Sequence, residues 1–109
     1  MQIKIKATNI ELTPEIKNYI QEKMDMLSKY LGSVQVINFN FEVELTTKHH
    51  NKGEIYRAEA NIMVQGNLLR VEKTEKELFK AIDKVKDHLV RSITRYKEKR
   101  IDRDRRAKQ

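Results

Sequence analysis

Apolar and polar residues alternate over 2–7, with Ile3, Ile5 and Ala7 on one side and Gln2, Lys4 and Lys6 on the other, which is the period of a half-buried strand. The period then changes. Thr13 supplies a capping oxygen and Pro14 occupies the first helical position, where its missing N–H would have no helical partner. The stripe Ile16, Ile20, Met24, Leu27 and Leu31 predicts one helix running to a stop at Gly32. Strict alternation returns over 36–46, placing Ile37, Phe39, Phe41, Val43 and Leu45 inward and Asn38, Asn40, Glu42, Glu44 and Thr46 outward. After a polar turn over 48–53, residues 54–65 predict a third strand with Tyr56, Ala58, Ala60, Ile62 and Val64 inward, its paired alanines leaving room for a helix to lie close. Gly66 and Asn67 make the next turn, and a short fourth strand covers 68–73.

From Thr74 to about Arg100 the period is helical again. Leu78, Ile82, Val85, Leu89, Ile93 and Tyr96 fall in one arc, with Ala81 beside them. Lys80, Lys84, Arg91 and Arg95 stack into a ridge on the other side, broken mainly by Asp87. Thr74 and Glu77 have the spacing of a capping box. About 26 residues at about 1.5 Å each make a rod of about 39 Å, whose last turns are expected to project past the body. The predicted order is β-α-β-β-β-α, an α+β domain in which a four-stranded sheet carries both helices on one face and leaves the other open, polar and somewhat acidic.

One domain over 1–100 accounts for this pattern, with 101–109 as a basic, flexible C-terminal tail. The charge is uneven: from Arg91 to Gln109 there are nine Lys/Arg against three acids, which is six of the seven net positive charges. A cationic end on a balanced body points to a polyanionic partner, or more blandly to a solvated helix end. There is no cysteine, which excludes a disulfide framework and thiolate metal sites. No apolar run approaches the roughly 20 residues of a membrane span, and the first residues read as a strand instead of a signal peptide, so a cytoplasmic protein is expected.

Catalytic chemistry is thin. There is no phosphate-binding glycine loop, no His-x-x-x-His pair and no strand-turn-helix serine motif, so the chain reads as a non-enzyme without cofactor or small-molecule substrate. His49 and His50 lie in a turn far from His88, short of the three or four ligands a metal site uses. Base stacking on the sheet is also excluded, because Phe39 and Phe41 share the inward face. Nucleic acid would instead be held through phosphates by Lys80, Lys84, Arg91 and Arg95, with Lys48, Lys52 and Arg57 contributing from the turn and strand nearby. Lys23 sits in the middle of the first helix's apolar arc, where it either snorkels to water or reaches a phosphate.

Several stretches carry a resemblance: Glu11-Leu12-Thr13-Pro14, Glu22-Lys23-Met24, Lys52-Gly53, Tyr56-Arg57-Ala58-Glu59, Phe79-Lys80-Ala81-Ile82-Asp83 and Leu89-Val90-Arg91-Ser92-Ile93. In order, over nearly the whole chain, they resemble the ribosome hibernation promoting factors and ribosome-associated translation inhibitors, also described as sigma-54 modulation proteins. The resemblance implies a fold similar to a double-stranded-RNA-binding domain. It also implies a monomer that binds the small ribosomal subunit in the channel used by messenger RNA and by A- and P-site transfer RNA. Translation would be blocked in stress or stationary phase by occlusion. On this reading Lys23, Lys48, Lys52, Arg57, Lys80, Lys84, Arg91, Arg95, Lys97 and Lys99 form the rRNA-binding set. Two positions depart from the family pattern, Ser92 where Gln is usual and His88 where Lys is common, and the chain reads as a short form without a dimerisation domain. Two further readings stand beside this one, a general double-stranded-RNA-binding module and a protein-only transcription regulator.

Overall fold

The computed structural model describes residues 1–46 and 53–107, so Lys48, Lys52, His49 and His50 lie outside the described residues. The elements are β1 (Lys4–Thr8), α1 (Pro14–Asp25), a one-turn α2 (Ser28–Leu31), β2 (Val36–Thr46), β3 (Ile55–Val64), β4 (Asn67–Glu75) and α3 (Leu78–Ala107). The strands form one sheet in the order β1-β2-β3-β4, with β1 parallel to β2 and the other pairs antiparallel. One apolar face per strand leaves one solution. Phe39, Phe41 and Val43 of β2, Ala58, Ala60, Ile62 and Val64 of β3, and Leu69 and Val71 of β4 are buried under the helices in a single core. Ala58 and Ala60 are fully buried, and α3 packs over β3 and β4, consistent with the room those small side chains leave. Each large buried side chain contributes about 1.5–3 kcal/mol relative to exposure.

Local signals account for most element ends. Thr13 Oγ1 accepts from the Ile16 N–H at 3.2 Å with Pro14 next to it, so α1 starts where expected. Gly32 closes α2 at φ 56°, a conformation costly for a residue with a Cβ. Three details differ from the sequence pattern. The expected single helix breaks at Met26 and Leu27, where tighter i→i−3 bonds form, Met26 N–H to Lys23 O and Leu27 N–H to Met24 O; Leu27 and Leu31 both stay buried. A bulge between Val36 and Asn38 turns Ile37 outward, 64% exposed, and brings Val36 onto the core in its place. The Thr74–Glu77 capping box does not form, because β4 runs through Glu75 and Thr74 pairs with Arg57 across the ladder; α3 begins instead at Leu78. Sheet pairing satisfies backbone groups over that stretch and displaces the helix start.

At its other end α3 continues to Ala107, beyond the expected stop near Arg100. From Glu98 onward every described residue is exposed. The segment holds good helix formers and neither Gly nor Pro, so nothing local ends it. At 30 residues the helix is about 45 Å long, which makes it the main contributor to the molecule's 58 Å long axis.

Candidate nucleic-acid interface

Burying Leu78, Ala81, Ile82, Val85, Leu89, Ile93 and Tyr96 fixes the rotation of α3 and leaves Lys80, Lys84, Arg91 and Arg95 facing solvent. Rises of four residues put Lys80 and Lys84, and Arg91 and Arg95, about 6 Å apart along the axis, with about 10 Å between Lys84 and Arg91. Lys84 meets Glu75 at 3.2 Å. Lys80, Arg91 and Arg95 have no carboxylate within 4.0 Å among the described residues. Asp87, which interrupts the ridge in sequence, is taken up by Lys86 at 2.8 Å, and that contact raises the Lys86 ammonium above its ordinary value. Lys99 is exposed farther along the same helix.

His88 fills the gap between Lys84 and Arg91. It is half-buried, and its Nδ1 is buried with no hydrogen-bond partner among the described residues. Burial lowers the imidazole below its ordinary value, and Lys73, Arg91 and Arg95 push in the same direction. The ring is therefore neutral at neutral pH, and the ridge carries its positive charge on lysine and arginine alone.

Of the remaining cations of the sequence-derived set, Lys23, Lys97 and Arg57 are described, and all three are engaged inside the chain. Lys23 lies 3.6 Å from Asp83 of α3 and 5.4 Å from the centre of the Tyr19 ring. The Tyr19 hydroxyl donates to the same Asp83 at 2.5 Å, its ring meets Phe79 edge-on, and burial followed by Asp83 pushes its pKa up to about 12. Lys23 is thus part of a clamp joining α1 to α3. Lys97 donates to the Tyr30 carbonyl at 2.9 Å, at the end of α2 where backbone acceptors lack helical partners.

Arg57 lies on the opposite, open face of the sheet. Its guanidinium reaches Glu42 at 2.6 Å, Glu44 at 2.7 Å and Glu59 at 3.4 Å. Burial pulls its pKa down, and hydrogen bonds to Glu44 and Glu42 outweigh that and raise it. Glu42 is held below the usual carboxylate range by hydrogen bonds from Thr8 and Arg57. Burial alone would raise Glu59, but Arg70, Asn61 and Arg57 outweigh it. Arg57 is therefore separated from the ridge by the whole thickness of the domain. Two exposed cations near the end of α3, Arg100 and Arg103, escaped the sequence reading because the helix was expected to stop near the first of them. Their spacing from Tyr96, four and seven residues, was the available signal.

Residues 3–101 match the family described as sigma 54 modulation protein / S30EA ribosomal protein, and the chain belongs to that family. It is 30% identical over 107 residues to a ribosome hibernation promotion factor of Staphylococcus aureus, covering 96% of this chain and 54% of that one. A ribosome hibernation promoting factor of Klebsiella oxytoca is 26% identical over 99 residues, covering 91% of this chain and 96% of that protein. The chain spans about half the length of four of the curated relatives it matches. Among solved structures, the N-terminal domain of Thermus thermophilus Protein Y superposes with a TM-score of 0.74 at 28% identity, covering 88% of this chain and 99% of that one. Among the described residues no cluster of His, Asp and Glu is arranged to hold a metal ion, and no helix is long and apolar enough to cross a membrane.

Proposed function

We propose that this chain is a ribosome hibernation factor that binds the small ribosomal subunit through rRNA phosphates and blocks translation by occupying the channel of messenger RNA and of A- and P-site transfer RNA. The carrying observation is the outward side of α3, where Lys80, Arg91 and Arg95 stand without carboxylate partners among the described residues on a helix held rigid by the core. Family membership and the relatives' names support the same reading. The mechanism is occlusion. A cationic rod set on a sheet enters a phosphate-lined groove, releases counterions and excludes the ligands that need that space. It requires no bond-making step and acts where ribosomes are, in the cytoplasm. Lys80, Lys84, Arg91, Arg95 and Lys99 make the phosphate contacts, while Lys23, Lys97 and Arg57 serve chiefly by holding the elements that position them.

Binding of the purified protein to small subunits across a salt series, with P-site transfer RNA as competitor, tests this. Binding is expected to fall steeply with salt, to be displaced by the transfer RNA, and to weaken on the order of 100-fold in Arg91→Glu/Arg95→Glu. Binding indifferent to transfer RNA and to the double variant would sink the proposal. Preference for free duplex RNA over the subunit would favour a general double-stranded-RNA module.

A further inference from the structure

The projecting end of α3 does not hang clear of the sheet along its whole length. Beside the two-residue turn Gln65–Gly66 and the start of β4, it encloses two adjoining concavities of about 200 and 320 Å³ that share Asn67, Tyr96 and Lys99. Tyr96 forms the floor, its hydroxyl donating to the Gln65 carbonyl at 2.7 Å, so turn and helix are fastened together. Arg100 packs over the Tyr96 ring at 5.8 Å, with its Nη1 3.4 Å from the hydroxyl. Arg95, Lys99, Arg100 and Arg103 line the helix side, and none has a carboxylate within 4.0 Å among the described residues. Asp104 is the one acid in the lining. On the strand side, Arg70 is already engaged by Glu59 and Glu72.

We propose that this groove is a second nucleic-acid site, distinct from the ridge, that holds a single strand of RNA by its phosphodiester backbone. Charge argues for a polyanion: four cations without acidic partners among the described residues converge on a concave surface whose lining there holds one acid, Asp104. Shape argues for one strand, because the outward side of the helix is convex, whereas the groove is two small adjoining concavities open to solvent. Its polar lining suits a nucleotide. Asn67 Oδ1 accepts from the Leu68 N–H at 3.0 Å, leaving its amide nitrogen to donate, and Ser92 lines the same concavity. The flat Arg100 guanidinium offers a surface on which a base can stack. A Cβ built on Gly66 would meet nothing within 4 Å, so the turn is open to a ligand. Arg95 belongs to both ridge and groove, giving a strand a continuous path between them.

The test is fluorescence anisotropy with a labelled oligouridylate of about 12 nucleotides, with a duplex of equal length and uridine monophosphate as unlabelled competitors. The full chain is compared with a groove variant, Arg100→Glu/Arg103→Glu, and a ridge variant, Lys80→Glu/Arg91→Glu; all four residues are exposed, and circular dichroism checks folding. The milder Arg100→Gln/Arg103→Gln covers misfolding of the first. The groove variants are expected to lose affinity about 10-fold or more, and the glutamine variant to reduce the salt slope by about 1.4, two phosphates' worth on a single strand. The ridge variant should change it less than about 3-fold, while losing small-subunit binding in a parallel assay. Asn67→Ala should weaken the oligonucleotide with an unchanged salt slope. Wild-type affinity in the groove variants, equal losses in both sets, or displacement by the monophosphate as effectively as by the oligomer would overturn the proposal. Because subunit binding is read separately, failure of the occlusion mechanism remains distinguishable from failure of this site.

Discussion

On the open face of the sheet Arg57 lies within 3.4 Å of three carboxylates, whereas on the outward side of α3 Lys80, Arg91 and Arg95 have none within 4.0 Å among the described residues. Both regions are built from the same residue types. What separates them is how the fold sets neighbours. Across the sheet, register aligns Lys6, Glu42, Glu59 and Glu72 in one row, and like charges directly opposite are unfavourable. Arg57 and Arg70, one row to either side, bridge those acids and turn a repulsive row into a closed network. Along the ridge of α3, Lys80 and Lys84, and Arg91 and Arg95, are like-charged neighbours four residues apart, and the nearby acids Asp87 and Asp83 turn to Lys86 and Lys23. Charge on the sheet holds the fold together, and charge on the helix remains available to a partner.

Substitutions should separate these two uses. The largest effect is expected from Arg91→Glu/Arg95→Glu, whose loss of subunit affinity on the order of 100-fold equals about 2.7 kcal/mol, with the melting temperature nearly unchanged. Arg57→Ala should do the reverse. Removing the cation leaves Glu42, Glu44 and Glu59 facing one another, costing about 2 kcal/mol in chemical denaturation while subunit binding stays within about 3-fold. If binding fell with Arg57→Ala in a protein of full stability, the open face would have to touch the partner.

Acid should loosen the sheet network. Glu42 and Glu59 have folded values below their unfolded ones, so their stabilisation is present above the ordinary carboxylate value, about 4.3, and is lost as pH falls through the folded values. Melting curves between about pH 6 and pH 3 should show this loss, and Arg57→Ala should flatten it. Tyr19→Phe removes the hydroxyl from Asp83 and should cost about 1 kcal/mol, a loss that measured stabilities would contradict if Lys23 fully replaced the contact.

His88 gives the smallest effect. Its folded value is depressed below 6.5, so the unfolded chain takes up the proton first as pH falls. Its contribution is complete above about pH 6.5 and declines as pH drops toward the folded value, with a slope below the about 1.4 kcal/mol per pH unit of one full proton. His88→Gln should remove that slope in denaturation series between about pH 7.5 and 5.5.

Much of the architecture was legible because it follows from local rules. Alternation marked the first three strands, Thr13 and Pro14 marked the start of α1, and the 3.6-residue stripe from Leu78 to Tyr96 gave the orientation of α3 and so the existence of the ridge. Misreadings arose where a local pattern competed with a partner. Ile37 alternates with Phe39 in sequence, but one extra residue opposite Met63 turns it outward. Thr74 has the spacing of a cap, but nine consecutive pairs with β3 claim it for the ladder.

The sequence by itself determined most of the elements, most of their buried sides and the concentration of cations toward the C-terminal end, since these depend on residues within a few positions of one another. Tertiary structure alone decided which cations are spent. Lys97 finds its acceptor 67 positions away, Tyr19 meets Asp83 across 64, and Arg57 joins acids of its own strand and of its neighbour. The groove at the end of α3 likewise exists only because Tyr96 reaches Gln65 across 31 residues. Ion pairing falls off within a few ångströms, and distance in space between residues so far apart in the chain is set by register and packing.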